Sequence, residues 1–205
     1  MAERCVHIGD RESDIFELFC AARDEKSHFV FRTCVDRLCG PERRRVSTEM
    51  ESAVACGQHS ITVQDQEGNP IEVELDIQYQ RLELQPPVGK KKAYQPIAVT
   101  VIHAKERGST PGREPVDWKL VTDLPIEGLG QAIEKLTWYA MRWKIETFDK
   151  ILKSGCRAED SKLRTAERLG NLLSIFCFLA WRVFWLTMVQ RTAEEQDPYS
   201  VFIYY

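Results

Sequence analysis

The sequence predicts an α/β fold: a strand–helix–strand unit at the start, an all-β insertion in the middle and helices at the end. Three observations predict it. A strand–turn–helix–strand order opens the chain, alternating and β-branched runs fill residues 41–120, and apolar spacing turns helical from Ile126 onward. The predicted divisions are therefore 1–40, 41–120 and 121–205.

Cys5-Val6-His7-Ile8 reads as a short strand, followed at once by the polar run Gly9-Asp10-Arg11-Glu12. Asp14-Ile15-Phe16-Glu17-Leu18-Phe19 then has helical spacing, with Ser13 or Asp14 as the N-cap. His28-Phe29-Val30-Phe31-Arg32 is the second strand. Asp10 thus follows the carboxyl end of a strand, where open α/β sheets place their chemistry. His7, two residues before Gly9, reads as a strand residue rather than a ligand.

In the middle segment Ser60–Val63, Ile71–Leu75, Leu82–Leu84 and Ile97–Ile102 are strand candidates. Gly68-Asn69-Pro70, Pro86-Pro87 and Gly108–Gly112 punctuate them as turns. Val116–Thr122 reads as the last strand or the return to the core. One helix is expected from Gly130 through Lys153, with Gly155 as its C′ residue, and a second over Thr165–Gln190. Asp197–Tyr205 carries a helix stop at Pro198 and receives no assignment.

At 205 residues, 43% hydrophobic and 29% charged, the composition is that of a globular chain and not a disordered one. The net charge of -3 does not announce a nucleic-acid binder, yet phosphate contacts depend on where charge sits. Arg81–Arg113 holds seven Lys/Arg against two acidic residues, and Tyr139–Arg168 eight against five. Lys90, Lys91 and Lys92 in the first stretch read equally as plain solvated lysines. Seven cysteines, without a zinc spacing or a signal peptide at Met1, point to a reducing cytoplasm. The apolar run Leu172–Val189 contains Arg182, which would cost ~2.5–3.5 kcal/mol at a bilayer centre. A buried C-terminal helix is expected there, and no membrane.

On the expected first helix, Tyr139, Arg142, Glu146 and Lys153 fall within an arc of about 60° and span about 21 Å. Lys150 lies just beside them. Ala140, Met141, Ile145, Phe148, Ile151 and Leu152 form the opposite apolar face, with Lys144 a misfit. Such a stripe suits phosphodiester chemistry: Glu146 is an oxygen ligand for a hard divalent cation, and Arg142 and Lys153 hold phosphates to either side. The plain alternative is a solvated salt-bridged face, worth ~0.2–0.5 kcal/mol per pair.

Tyr139-x₂-Arg142-x₃-Glu146-x₆-Lys153 resembles the signature of the DDE (Asp-Asp-Glu) transposases of the bacterial insertion-sequence-four group, the transposon-five type. Asp10-Arg11-Glu12-Ser13-Asp14-Ile15 is similar to that group's second-Asp motif, and Phe29-Val30-Phe31-Arg32 to the segment after it. The resemblance implies a partial ribonuclease-H-like core, a mixed sheet with helices, interrupted by the all-β insertion. It implies Asp10 and Glu146 as catalytic ligands of Mg²⁺ or Mn²⁺, and Arg32, Tyr139, Arg142, Lys150 and Lys153 as phosphate contacts. Trp118 matches the group's stacking platform for a flipped base, with Trp143 assisting; such stacking is worth ~1–3 kcal/mol per base. The implied partner is double-stranded DNA at transposon ends, bound by a homodimer on paired ends in the cytoplasm of a bacterium.

Only nine residues precede Asp10, and the sole acidic one is Glu3, so the family's first Asp has no counterpart. The expectation is a fragment that is inert alone and folds poorly without an N-terminal partner, because missing strands leave apolar sheet edges. The alternative is a non-catalytic DNA-binding protein or transposition inhibitor on the same scaffold.

Overall fold

The computed structural model describes residues 5–53, 55–64, 67, 70–108 and 112–192. The expected turns at Gly68-Asn69 and Ser109–Pro111, and the segment Asp197–Tyr205, lie outside them. Two compact units are present, Met1–Met141 and Arg142–Tyr205.

The first unit is a mixed sheet with helices. β1 (Val6–Gly9) and β2 (His28–Arg32) run parallel, joined by α1 (Phe16–Asp24). β3 (Leu38–Cys39), β4 (Arg44–Arg45), α2 (Val46–Ser52), β5 (Gly57–Gln64), β6 (Pro70–Leu84), β7 (Ile97–Glu106), β8 (Asp117–Thr122) and α3 (Leu129–Ala140) follow. The sheet order is β1-β2-β8-β7-β6-β3-β4, with β5 also on β6. Every pairing except β1–β2 is antiparallel.

The expected insertion strands therefore continue the same sheet: β8 bonds β2 on one side (Phe31 opposite Val121) and β7 on the other (Val101 opposite Val121). The runs Ile71–Leu75 and Leu82–Leu84 belong to one strand of 15 residues, β6, because alternation persists between them at half-buried positions. The segment expected to be all β also contains a helical turn pair, α2, which buries Met50 against the sheet.

The period of two along the strands divides the core between two faces. Phe29, Phe31, Val99, Val101 and Val121 point to one face and pack with Phe16, Phe19 and Cys20 of α1. Val30, Ile102, Ala104 and Leu120 point to the other and meet Ala132, Leu136 and Tyr139 of α3. Phe19, Phe29 and Phe31 stack with centroids 5.0–5.9 Å apart, and each fully buried ring contributes ~1.5–3 kcal/mol by burial alone.

Three expectations about helices change. Ile15, not Ser13 or Asp14, occupies the N-cap position of α1, and no side chain caps it. The single helix expected over Gly130–Lys153 is interrupted: α3 ends at Ala140, Met141 donates to both Thr137 and Trp138 carbonyls, and α4 (Trp143–Lys150) starts after Arg142. A π-helical segment, Ile151–Gly155, follows α4 and closes with the Cys156 amide on the Ile151 carbonyl, 3.0 Å.

α5 (Ala166–Thr192) forms where the second helix was expected, but it is not buried. Within the second unit Phe184 meets Phe148 edge-on at 6.5 Å, and Ala180 is fully buried. Ile175, Phe178, Leu179, Val183 and Leu186 remain exposed. By length and composition Ala166–Gln190 is apolar enough to cross a membrane.

Candidate functional site

Asp10 is the first residue beyond β1, in extended backbone, and opens a 3₁₀ turn over Arg11–Ser13. The turn closes by the Ser13 amide donating to the Asp10 carbonyl at 2.8 Å. Gly9 makes this reversal possible: a Cβ there would stand 2.2 Å from the Ser13 hydroxyl oxygen and 2.9 Å from the Phe31 ring. The Asp10 side chain is half-buried and accepts the Tyr139 hydroxyl at Oδ1, 3.2 Å, across 129 residues of sequence.

Tyr139 is buried near the carboxyl end of α3, on the face that carries Ala132, Lys135 and Leu136. Its ring meets Trp118 of β8 edge-on at 5.3 Å. Its hydroxyl also accepts a bond from the guanidinium of Arg32, the last residue of β2. Arg32 Nη2 in turn donates to the Asp117 carbonyl, 3.2 Å, beside Trp118. Asp10, Arg32, Trp118 and Tyr139 thus form one cluster built from β1, β2, β8 and α3. Burial pushes the Tyr139 phenol above its ordinary pKa; the Arg32 charge and bond pull it down, and Asp10 pushes it further up.

Asp14 anchors this corner. Its carboxylate is buried and accepts from the Thr33 hydroxyl and the Cys34 and Val35 amides, each at 2.8 Å. Arg37 donates to it through Nη2 at 2.6 Å and Nε at 3.2 Å, and covers the Phe19 ring at 5.1 Å. Burial alone would raise the Asp14 pKa; the bonds from Arg37, Thr33, Val35 and Cys34 outweigh it and hold the carboxyl below its ordinary value. The side chain expected to cap α1 instead fastens the turn after β1 to the loop after β2. Sequence reasoning missed this role, and Arg37 with it. Asp14 stands where caps stand, and nothing local shows that residues 33–37 will arrive beside it. Lys135 was also missed: it is buried, paired with Glu134, and lies 4.5 Å from the Trp138 ring centre.

The remaining expected residues lie in the second unit. Arg142 Nη1 pairs with Glu146 Oε1 at 2.7 Å, and the Glu146 side chain is 61% exposed. Such a pair contributes ~0.3–0.5 kcal/mol. Trp143 is exposed at the start of α4, Lys150 closes that helix, and Lys153, in the π-helical segment, is 3.9 Å from Glu159. Tyr139 does not share an exposed stripe with Arg142, Glu146 and Lys153 on one helix. It is buried on α3, while the other three follow the break at Met141–Arg142. The structure therefore brings Asp10, Arg32, Trp118 and Tyr139 together in one unit, and Arg142 with Glu146 in the other.

Both acidic candidates offer carboxylate oxygens, the donors that hard divalent cations take. Among the described residues no three His, Cys, Asp or Glu side chains gather as a metal site. A comparison with known protein families finds none that matches the chain.

Proposed function

We propose that the chain is part of the catalytic region of a DDE-type DNA transposase, acting on double-stranded DNA at transposon ends in cut-and-paste transposition. One observation carries the reading. Asp10, Arg32, Trp118 and Tyr139 were assigned from motif positions scattered along the chain, and they meet in a single cluster. A chance salt-bridged stripe gives no reason for the residue after β1 to receive a hydroxyl from α3.

In this reading β1, α1 and β2 belong to a ribonuclease-H-like core, and Asp10 and Glu146 would each be a carboxylate ligand for Mg²⁺ or Mn²⁺. Such ions, when bound, would supply Lewis-acid activation of the attacking oxygen and charge stabilisation of the leaving one. Arg32, Arg142, Lys150 and Lys153 neutralise phosphates. Tyr139, engaged by both Asp10 and Arg32, orients the Asp10 carboxylate, and Trp118 and Trp143 offer ring faces to an unstacked base. In this reading the chain binds DNA, and cutting requires a third carboxylate that no described residue is assigned to supply.

The test is Mn²⁺ binding, followed by electron paramagnetic resonance on the full chain with duplex DNA present. Asp10→Asn and Glu146→Gln should each weaken binding at least tenfold. Unchanged Mn²⁺ binding in the Asp10→Asn/Glu146→Gln double variant would sink the reading. DNA binding without any such ion site would instead favour a non-catalytic DNA-binding protein or transposition inhibitor, for which the Arg142–Glu146 pair already provides a use of Glu146 without metal.

A further inference from the structure

The strand order of the sheet ends on β1 at one side and on β4 at the other, and the two edges differ in kind. β4 is Arg44-Arg45, both exposed, and charges of that sort keep a further strand from adding. β1 is Val6-His7-Ile8-Gly9, with no Lys, Arg, Asp, Glu or Pro. Among the described residues no strand other than β2 pairs with it.

The open side of β1 has a definite pattern. The His28 amide donates to the Cys5 carbonyl at 2.9 Å, so Cys5, His7 and Gly9 direct their backbone groups at β2. By the same alternation Val6 and Ile8 direct theirs away from it, over the open edge. The side chains of these two belong to the α3 face: Ile8 stands opposite Val30, which packs with α3, and Val6 joins the same cluster. Ile8 is nevertheless 39% exposed. The His7 side chain lies on the other face, where its Nε2 is 3.1 Å from the Ser27 hydroxyl.

We infer that β1 is the edge at which two copies of this chain join, antiparallel, about a two-fold axis through His7. Val6 and Ile8 flank His7, so the axis sets Val6 of each copy opposite Ile8 of the other. Each opposed pair exchanges both of its backbone hydrogen bonds, as the closely bonded pairs of an antiparallel ladder do. Each also brings one β-branched side chain against another on the α3 face, which covers the exposed part of Ile8. A contact of this symmetry closes at two copies. A strand from a different polypeptide would make the same bonds; a second copy is preferred because Val6-x-Ile8 is its own complement. The inference stands apart from the DNA reading.

The test joins sedimentation equilibrium of the full chain, over a range of concentrations, to amide hydrogen exchange read residue by residue. The chain should dimerise, and the Val6 and Ile8 amides should become protected as the dimer forms, while His7 and Gly9, bonded to β2, are protected throughout. Ile8→Lys should weaken dimerisation by about tenfold or more, because the change acts at both symmetric pairs. Ile8→Val should keep the dimer. Circular dichroism melts report whether either variant is destabilised; if Ile8→Lys is, the wild-type exchange pattern decides alone. A dimer whose Val6 and Ile8 amides exchange as fast as in the monomer joins through another surface, such as α5, and overturns the inference. So does a chain that stays monomeric at every concentration, whether those amides exchange freely or are already protected.

Discussion

The Tyr139 hydroxyl stands between Asp10, to which it donates, and Arg32, from which it accepts, and the two charges act on it in opposite senses. With burial added, its pKa is raised above the ordinary value of about 10. A phenol raised on folding contributes stability that is full below its unfolded pKa and is lost as pH rises through the folded one. The difference in absorbance titration at alkaline pH between wild type and Tyr139→Phe isolates this group from the chain's six tyrosines. It should titrate later than a free tyrosine, earlier in Asp10→Asn and later still in Arg32→Gln. A Tyr139 titration indifferent to Asp10→Asn would mean that the hydroxyl does not serve that carboxylate. The residues of this cluster were legible in the sequence as motif members. Their mutual contacts were not, because Tyr139 reads as one of four side chains on an exposed helical stripe until the break at Met141–Arg142 assigns it to a buried face.

At the scale of elements, the parallel pair β1–β2 owes its ordered carboxyl end to Asp14. One carboxylate satisfies two backbone amides, a hydroxyl and a guanidinium from residues 33–37. Asp14→Ala leaves Arg37, 11% exposed, without that partner, and should cost ~3–5 kcal/mol in urea denaturation at neutral pH. The sign of the pH dependence follows from a depressed pKa. The stabilisation is full above the unfolded value of about 3.9 and is lost as pH falls through the lower folded value. The stability gap between wild type and Asp14→Ala should therefore narrow only in strong acid; a gap already closed at pH near 5 would contradict the assignment. Strand and helix positions were largely legible, since period two and period 3.6 are written into residues 57–64, 97–106 and 166–192. Element ends were less so. The α1 cap failed because Asp14 found stronger partners far along the chain.

For the whole molecule, the distribution of the core matters most. Among the described residues, every buried apolar side chain apart from Ala180 lies at or before Tyr139, in the two clusters that cover both faces of the sheet. Residues 1–141 should then melt cooperatively on their own, with the strand-rich circular dichroism of the full chain; a non-cooperative melt of that piece would show that its two clusters are not enough. β1 at the sheet's edge leaves Ile8 exposed, and α5 leaves Ile175, Phe178 and Leu179 exposed. The α5 surface should make the full chain more prone to self-association than residues 1–141, measurable by light scattering.

The sequence by itself determined the α/β class, the strand–helix–strand opening, the later strands and the long C-terminal helix, because each depends on side-chain periodicity within a short window. It also named Asp10, Arg32, Trp118 and Tyr139. Only the tertiary structure decided that the β-rich middle continues the opening sheet, that Asp14 clamps two loops rather than capping a helix, and that α5 carries its apolar face outward. Those outcomes depend on which distant segments compete for the same edge, carboxylate or face, and such competition is resolved only when the chain has folded.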